Sequence, residues 1–196
     1  MATPKRQRIG IWIIAAVMLI GTVGSFAAMV LAGKNASIDQ ANQQKMLEEY
    51  QKQMAEEQKK GDELSGTYYP QFKEYQGKPA AFDMNAVGDQ VGKNDLKIGD
   101  GAEITADTKY QAYYIGWNPK GKTFDSSFNG DKLKAPIDTS QTSLIPGWSQ
   151  GVVGMKVGGV REITIPSDLA YGETGSGDDI PPNTPIKFIV MVIATK

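Results

Sequence analysis

Any chemistry in this chain must come from carboxylates, hydroxyls, backbone groups and apolar surface, because its 196 residues include no histidine and no cysteine. That absence excludes Ser-His-Asp and Cys-His nucleophilic catalysis, thiol redox chemistry and the usual zinc ligand sets. We therefore expect neither a metal nor a cofactor. The most conspicuous candidate is Trp148, a large aromatic residue that directly follows the turn-forming pair Pro146-Gly147 in the stretch TSLIPGWSQGVVGM, residues 142–155.

A short helix would explain how Trp148 is positioned. Pro146 suits the first turn of a helix, where its missing N–H costs nothing, and the residues up to Val153 give one or two turns. Trp148 and Val152 are four residues apart, so they share one side of that helix. Gly154 is expected to end it.

Strand-like runs rich in β-branched and aromatic residues surround this helix: KYQAYYIGW (109–117), VREITIP (160–166) and IKFIVMVIAT (186–195). The last run is apolar on both faces, so both faces of its sheet must be covered. One face would carry Ile186, Phe188, Val190 and Val192, and the other Ile189, Met191 and Ile193. The sequence predicts an α+β domain in which a twisted antiparallel sheet wraps around one short helix, with Trp148 in the concavity.

The chain begins with an uncharged stretch of 25 residues at 9–33, long enough as a helix to cross a bilayer core of about 30 Å. We expect a retained transmembrane helix rather than a cleaved signal peptide, whose apolar core would be about half as long. The basic residues of the 1–8 segment precede it without any acid: Lys5, Arg6 and Arg8. This bias predicts a single-pass protein of the cytoplasmic membrane, with the N-terminus inside and the C-terminal domain outside.

The charge balance argues against nucleic acid as a partner. The first 34 residues carry four basic groups and no acid, which leaves 17 basic and 22 acidic groups in the rest of the chain. A body with a net charge of −5 offers no basic stripe to a phosphate backbone.

Residues 34–60 are rich in Gln, Glu, Lys and Ala, which predicts a helical stalk. Leu47, Tyr50 and Met54 form a thin apolar stripe, which leaves open a weak homodimer through a short coiled coil beside the favoured solvated stalk. Gly61-Asp62 is expected to end the helix. Residues 61–81 then read as an irregular connector, with four aromatic residues that pack partly on the domain: Tyr68, Tyr69, Phe72 and Tyr75.

Several linked motifs resemble the FKBP-type peptidyl-prolyl cis-trans isomerases. They run in the order YYIG, GKTFDSSF, LIPGWSQGVVGMKVGGVREITIPSDLAYG and IPPNTPIKF, and DLKIGDGAEI at 95–104 is similar to the entry strand and turn of that family. The resemblance covers residues 82–196. It implies the FKBP fold for this domain and isomerisation of X-Pro peptide bonds as its activity.

The resemblance also implies the site. The substrate proline would enter an aromatic pocket with Trp148 as its floor, and the walls would be formed by Tyr114, Phe124, Leu144, Ile145 and Phe188. Tyr171 would donate a hydrogen bond to a substrate carbonyl, and the Ile145 N–H would bind another. Asp125 would be the carboxylate at the pocket edge. Ile180 would contact the substrate from a flap formed by residues 173–183.

Four positions depart from the pattern of well-known family members. Asp179 and Ser176 replace an apolar residue and a histidine in the flap, and Leu133 and Ala135 stand where phenylalanines are frequent. These departures predict a smaller, more polar pocket rim, less suited to tight macrolide binding than to peptide turnover.

The expected partners are proline-containing unfolded or nascent polypeptides, so the protein would assist folding outside the cytoplasmic membrane. Two alternatives remain open at the level of sequence. One is a membrane-tethered chaperone or binding module with an FKBP fold and little catalysis. The other is a tethered scaffold in which the domain is structural and the stalk dimerises.

Overall fold

A computed structural model describes residues 36–196, with side chains described from residue 42. The predicted membrane span at 9–33 and the basic segment at 1–8 lie outside these residues. In the part that is described, no helix has both the length and the apolar character needed to cross a membrane. The chain divides into two units between Gln58 and Lys59, and the second unit contains the sheet.

The first described helix, α1, spans Ala36–Phe72, so the prediction that Gly61-Asp62 ends it was wrong. Glycine in a helix costs only about 1 kcal/mol, and packing at the end of this helix offsets that cost. Phe72 is fully buried, and the Ser65 hydroxyl accepts a 2.8 Å hydrogen bond from the Leu133 N–H. In the first unit, Leu47 and Met54 are exposed.

Eight strands and a second helix follow, and the short helix is the predicted one. The strands are β1 (Gly92–Lys97), β2 (Tyr110–Trp117), β3 (Thr123–Ser126), β4 (Phe128–Asn129), β5 (Lys132–Leu133), β6 (Ile137–Asp138), β7 (Val160–Ile165) and β8 (Ile186–Thr195). Helix α2 is Pro146–Val152, and 3₁₀ turns lie at Lys73–Tyr75, Met84–Ala86 and Ser167–Leu169. The main sheet is antiparallel, with the order β1-β7-β8-β2-β3, while β6 pairs with β2 and β4 pairs with β5.

The two faces of the sheet carry separate cores. On the first face, the side chains of β8 predicted to share a face pack around Trp148 and Val152 of α2. On the second face, the alternate β8 residues pack with Phe72, Tyr75 and Phe128. Residues 61–75 are thus the cover of the second face and not an irregular connector. The sequence predicted that such a cover must exist but did not identify it as the end of α1.

Two glycines let α2 lie close to the sheet. A Cβ atom at Gly147 would approach Ile165 Cγ2 to 2.2 Å, and one at Gly151 would approach Ile163 Cγ2 to 2.5 Å. Because the two glycines are four residues apart, they form one smooth face of the helix against β7. The Pro-Gly-Trp sequence is therefore a helix start whose glycine contacts the sheet.

Candidate functional site

Four aromatic rings meet on the concave face of the sheet, between β2, β3, β8 and α2. The ring centroid of Trp148 lies 4.9 Å from that of Phe188 and 5.4 Å from that of Tyr114, and both pairs are edge to face. Phe124 stands edge-on to Phe188 at 5.5 Å. Trp148 and Phe188 are buried, whereas Tyr114 and Phe124 are only partly covered. The arrangement is an aromatic floor with walls that still reach solvent.

Gly116 of β2 makes room for these rings. A Cβ atom there would lie 2.4 Å from Phe188 Cε1 and 2.8 Å from Phe124 Cζ, far inside contact distance. The glycine of the YYIG motif is therefore required by the aromatic cluster.

A carboxylate and two phenols stand at the edge of the cluster. The Tyr114 hydroxyl donates a 2.5 Å hydrogen bond to Asp125 Oδ2, and Asp125 Oδ1 accepts from the Ser126 N–H at 2.8 Å. Burial, reinforced by Asp125, raises the pKa of Tyr114 well above its usual value. Burial, followed by the Asp125 charge, also raises the pKa of Tyr171. Both phenols therefore stay protonated and able to donate at neutral pH.

Tyr171 and Ile145 provide the donors that are left for a ligand. The Tyr171 hydroxyl has no hydrogen-bond partner within residues 36–196, and neither does the Ile145 N–H. Ile145 is the N-cap of α2 with extended backbone angles, φ −62° and ψ 149°. Its carbonyl accepts from the N–H groups of Trp148 and Ser149 at 3.1 and 3.3 Å. The extended segment ahead of α2 therefore leaves one backbone donor beside the aromatic floor.

Tyr110, which the sequence interpretation did not single out, fixes the indole. The Trp148 Nε1–H donates a 2.9 Å hydrogen bond to the Tyr110 hydroxyl inside the first core. Burial raises the pKa of Tyr110 to about 12. The signal was available, since the period of two along β2 places Tyr110 on the same face as Tyr114.

Arg161, also missed, holds the other end of α2. Its guanidinium donates to Gly151 O at 2.9 Å and Val153 O at 3.1 Å, which are carbonyls at the C-terminal end of the helix. The same guanidinium donates two hydrogen bonds, of 2.6 and 3.1 Å, to the Asp95 carboxylate. The charge suits the negative end of a helix dipole. The sequence signal for this role was an arginine inside the strand-like run VREITIP, 160–166.

Two of the residues predicted in the flap, Ile180 and Asp179, make contacts that fix its position. Ile180 is buried in the first core, and its carbonyl accepts from the Ser176 N–H at 2.7 Å. Asp179 forms an ion pair with Lys122, and its carbonyl accepts from Asn118 Nδ2 at 2.8 Å. These bonds tie the flap to the turn between β2 and β3. Asp179, which departs from the family pattern, therefore connects the flap to that turn.

The prediction that Leu133 shapes the pocket rim was wrong. Leu133 is buried in the second core, on the opposite face of the sheet from the aromatic cluster. The reason is β4-β5 pairing, which sets Leu133 opposite Phe128 under the end of α1. Ala135 is exposed.

The structure brings all nine predicted site residues to one face of the sheet. Eight belong to the first core or pack against it: Tyr114, Phe124, Leu144, Ile145, Trp148, Tyr171, Ile180 and Phe188. Asp125 joins them through Tyr114. Their placement agrees with the resemblance, and their individual roles in binding and turnover remain predictions.

The C-terminal half of the chain resembles known proteins of one family. Residues 100–193 match the family model described as FKBP-type peptidyl-prolyl cis-trans isomerase. An FK506-binding protein of Neisseria meningitidis serogroup A is 37% identical over 50% of this chain and 90% of its own length. Peptidyl-prolyl cis-trans isomerase Mip of Chlamydia trachomatis is 35% identical over 84% of this chain and 66% of its own. Against FK506-binding protein 4 of Rhizopus delemar, at 37% identity, the match spans only 26% of that protein.

The chain belongs to the FKBP family, and its C-terminal domain is a peptidyl-prolyl cis-trans isomerase domain of that type. The aromatic floor with unpaired donors at its edge is the feature of the structure that suits this class of enzyme.

Proposed function

We propose that the whole chain catalyses cis-trans isomerisation of X-Pro bonds in unfolded or nascent polypeptides. The observation that carries this proposal is the partly open aromatic cluster around Trp148 with two unpaired donors at its edge, the Tyr171 hydroxyl and the Ile145 N–H. The cluster would receive the proline ring. The two donors would hold the carbonyls on either side of it.

The reaction needs no acid, base or metal. Rotation about an amide C–N bond costs about 18 to 20 kcal/mol because resonance is lost, and at X-Pro bonds it takes tens to hundreds of seconds. In the twisted transition state the carbonyl is less polar than in the planar amide. An apolar site therefore disfavours the planar ground state relative to the twisted one.

Binding energy and orientation supply the rest. Burying three ring methylenes contributes about 2 kcal/mol, at about 0.8 kcal/mol each. Tyr171 and Ile145 would hold the carbonyls on either side of the proline, so that the prolyl C–N bond is the one bond left free to rotate. Asp125 acts through orientation and local field, because its carboxylate is already engaged by Tyr114 and the Ser126 N–H.

A prolyl-peptide isomerisation assay on the full-length chain tests the proposal. Tyr171→Phe removes the unpaired hydroxyl and should lower kcat/KM about two- to tenfold, the value of one hydrogen bond. Asp125→Ala should also lower kcat/KM, since it releases the Tyr114 hydroxyl. Tyr69→Phe is the matched control, because it removes a phenol on the other face of the sheet, and should leave kcat/KM unchanged.

The same assay separates catalysis from the chaperone alternative. A wild-type rate no faster than the uncatalysed one would reject the enzymatic proposal. If the chain then still suppressed aggregation of an unfolded protein, and Trp148→Ala weakened that effect, the binding-module function would replace it.

We also propose that residues 9–33 anchor the protein in the cytoplasmic membrane, with residues 1–8 inside and the isomerase domain outside. Support comes from the uncharged length of this stretch and the basic residues before it. Protease added to intact cells should then digest the domain, and deleting 9–33 should move the protein to the soluble fraction. Protection of the domain until the cells are lysed would contradict this topology.

We propose in addition a weak homodimer through the stalk. Leu47 and Met54 are 57% and 47% exposed on α1, although such apolar side chains gain by mutual burial. Sedimentation should show self-association that Leu47→Glu abolishes. Lys52→Gln is the control, because it changes the net charge by the same amount on the opposite side of the helix. A monomer at every accessible concentration would reject the dimer.

A further inference from the structure

A second cavity, of about 430 Å³, adjoins the aromatic cluster on the side of α2 that faces the start of β2. Its apolar wall is formed by Tyr110, Leu144 and Val152, and its rim by Thr105, Ala106, Thr108, Lys109 and residues 139–143. Leu144 lines this cavity and also packs against the first core. A cavity of this size falls within the range of ligand-binding clefts.

Apart from Ala106, the remaining lining is polar and carries a single charge, that of Lys109. Several lining hydroxyls are already engaged. Thr105 and Thr108 bond to each other at 2.8 Å, and the Thr139 hydroxyl accepts from the Tyr110 N–H at 2.9 Å. These bonds hold the rim in shape.

Four other lining side chains have no hydrogen-bond or ionic partner among the described residues: Lys109, Thr142, Ser143 and Ser149. They offer three hydroxyls and one ammonium group to a ligand. The nearby acids leave this charge largely uncompensated, because Asp138 is paired with Lys196 and Asp107 does not line the cavity.

The chain order links this cavity to the proposed substrate donor. Ser143 and Leu144 line the cavity, and the next residue, Ile145, presents its unpaired N–H beside Trp148. Each residue of an extended peptide advances the chain by about 3.3 Å. A polypeptide bonded to Ile145 therefore reaches the cavity within a few residues of its proline.

We propose that this cavity is a second substrate subsite, which accepts a polar segment of the polypeptide flanking the proline and favours an acidic side chain through Lys109. The proposal rests on the isomerase function and adds a selectivity to it. An extended peptide fits because hydroxyl groups can donate to or accept from its backbone, and the Lys109 ammonium attracts a carboxylate.

The experiment compares three peptide series with the full-length chain. Each series carries Glu, Gln or Lys at one position, two to five residues before or after the proline. The wild type should give its highest kcat/KM with Glu and its lowest with Lys at one such position. The Glu-over-Gln preference should be about two- to fivefold, as expected for an exposed charge pair, and should shrink in high salt.

Lys109→Gln should remove the preference while leaving the rate with Gln peptides unchanged. Lys78→Gln is the matched control, since it removes the same charge outside the cavity, and it should keep the preference. Ser149→Ala should raise KM for the Glu and Gln peptides of that position alike without changing kcat.

The outcomes separate this subsite from the isomerase function itself. Turnover of Gln peptides without any preference for Glu, or a preference that survives Lys109→Gln, would overturn the subsite alone. No turnover of any peptide would overturn the isomerase proposal as well. Loss of the preference in both lysine variants would show an effect of net charge and would also reject the subsite.

Discussion

The phenols at the site are buried enough to remain neutral over a wide pH range, and this determines how the enzyme should respond to pH. The pKa values of Tyr114 and Tyr171 are both raised, so each keeps its proton beyond pH 10, the usual value for tyrosine. The two phenols therefore keep one protonation state from pH 6 to 9.

We accordingly predict a flat profile of kcat/KM between pH 6 and 9, measured with a peptide that has no titrating group in that range. The free energy of unfolding, unlike kcat/KM, should depend on pH, and it should fall at the alkaline end. A group whose pKa is raised by folding contributes stability below its unfolded pKa and loses it as pH rises. Unfolding should therefore become easier above about pH 10. A fall in kcat below pH 9 that disappears in Tyr171→Phe would contradict these assignments.

Arg161 and Asp95 give a prediction in acid. The Arg161 hydrogen bonds lower the pKa of Asp95, so its contribution to stability is complete above about pH 5 and is lost as pH falls through the lowered value. Asp95 is partly exposed, so Asp95→Asn should cost only about 1 kcal/mol at pH 7 after solvent screening. The difference in urea unfolding free energy between wild type and variant should shrink towards pH 3.

Arg161→Met should cost more, about 2 to 3 kcal/mol, because it also removes the donor of the Gly151 carbonyl and one of the two donors of the Val153 carbonyl. Helix α2 would lose the hydrogen bonds that fix its C-terminal end, and Trp148, which lies on α2, would become less firmly positioned. Lys97→Met serves as control, because Lys97 is an exposed cation of the same edge strand as Asp95. An Arg161→Met variant as stable as the wild type would show that α2 does not depend on this anchor.

At the scale of the element, α2 can lie close to the sheet because Gly147 has no side chain. Gly147→Ala places a methyl group against Ile165 Cγ2 and near Leu169 O, and the backbone oxygen cannot turn away as a side chain would. We predict a loss of about 1 to 3 kcal/mol from overpacking, with kcat/KM lowered as Trp148 shifts.

Gly66→Ala is the control for that substitution, because nothing lies within 4 Å of its added Cβ and the residue is inside α1. It should stabilise the protein by up to about 1 kcal/mol through helix propensity. Both unfolding free energies come from denaturant titration. Equal effects at the two glycines would show that close approach to β7 is not what Gly147 provides.

At the scale of the whole domain, the sheet needs the end of α1. Phe72 is fully buried and stacks on Phe128 with ring centroids 5.2 Å apart and planes 3° apart. Phe72→Ala should cost about 3 to 5 kcal/mol, as for other buried phenylalanines. Near neutral pH the folded fraction should keep its kcat/KM, because the aromatic site lies on the other face of the sheet.

Met54→Ala on the exposed part of the same helix should change the unfolding free energy by less than about 0.5 kcal/mol. A chain that starts at residue 80 lacks Phe72 and Tyr75 and should unfold at lower denaturant than one that starts at residue 59. Equal midpoints for these two fragments would show that the second core does not depend on α1.

The sequence predicted those features that depend on local pattern. Alternation along β8 gave the residues of each face, and the Pro-Gly start and the spacing of Trp148 and Val152 gave helix α2. The linked motifs then identified the family and placed the nine site residues on one face of the sheet. Each of these inferences uses neighbours within a few residues, or a whole set of motifs in order, so no long-range pairing had to be known.

The contacts between distant segments were decided only by tertiary structure. Helix α1 continues past Gly61 because Ser65 and Phe72 find partners about 60 residues further along the chain, and no local propensity encodes that. The same holds for Arg161 under the end of α2 and for Leu133 on the far face. Helix propensity at a glycine is worth about 1 kcal/mol, whereas burying a phenylalanine is worth several, so packing determined where α1 ends.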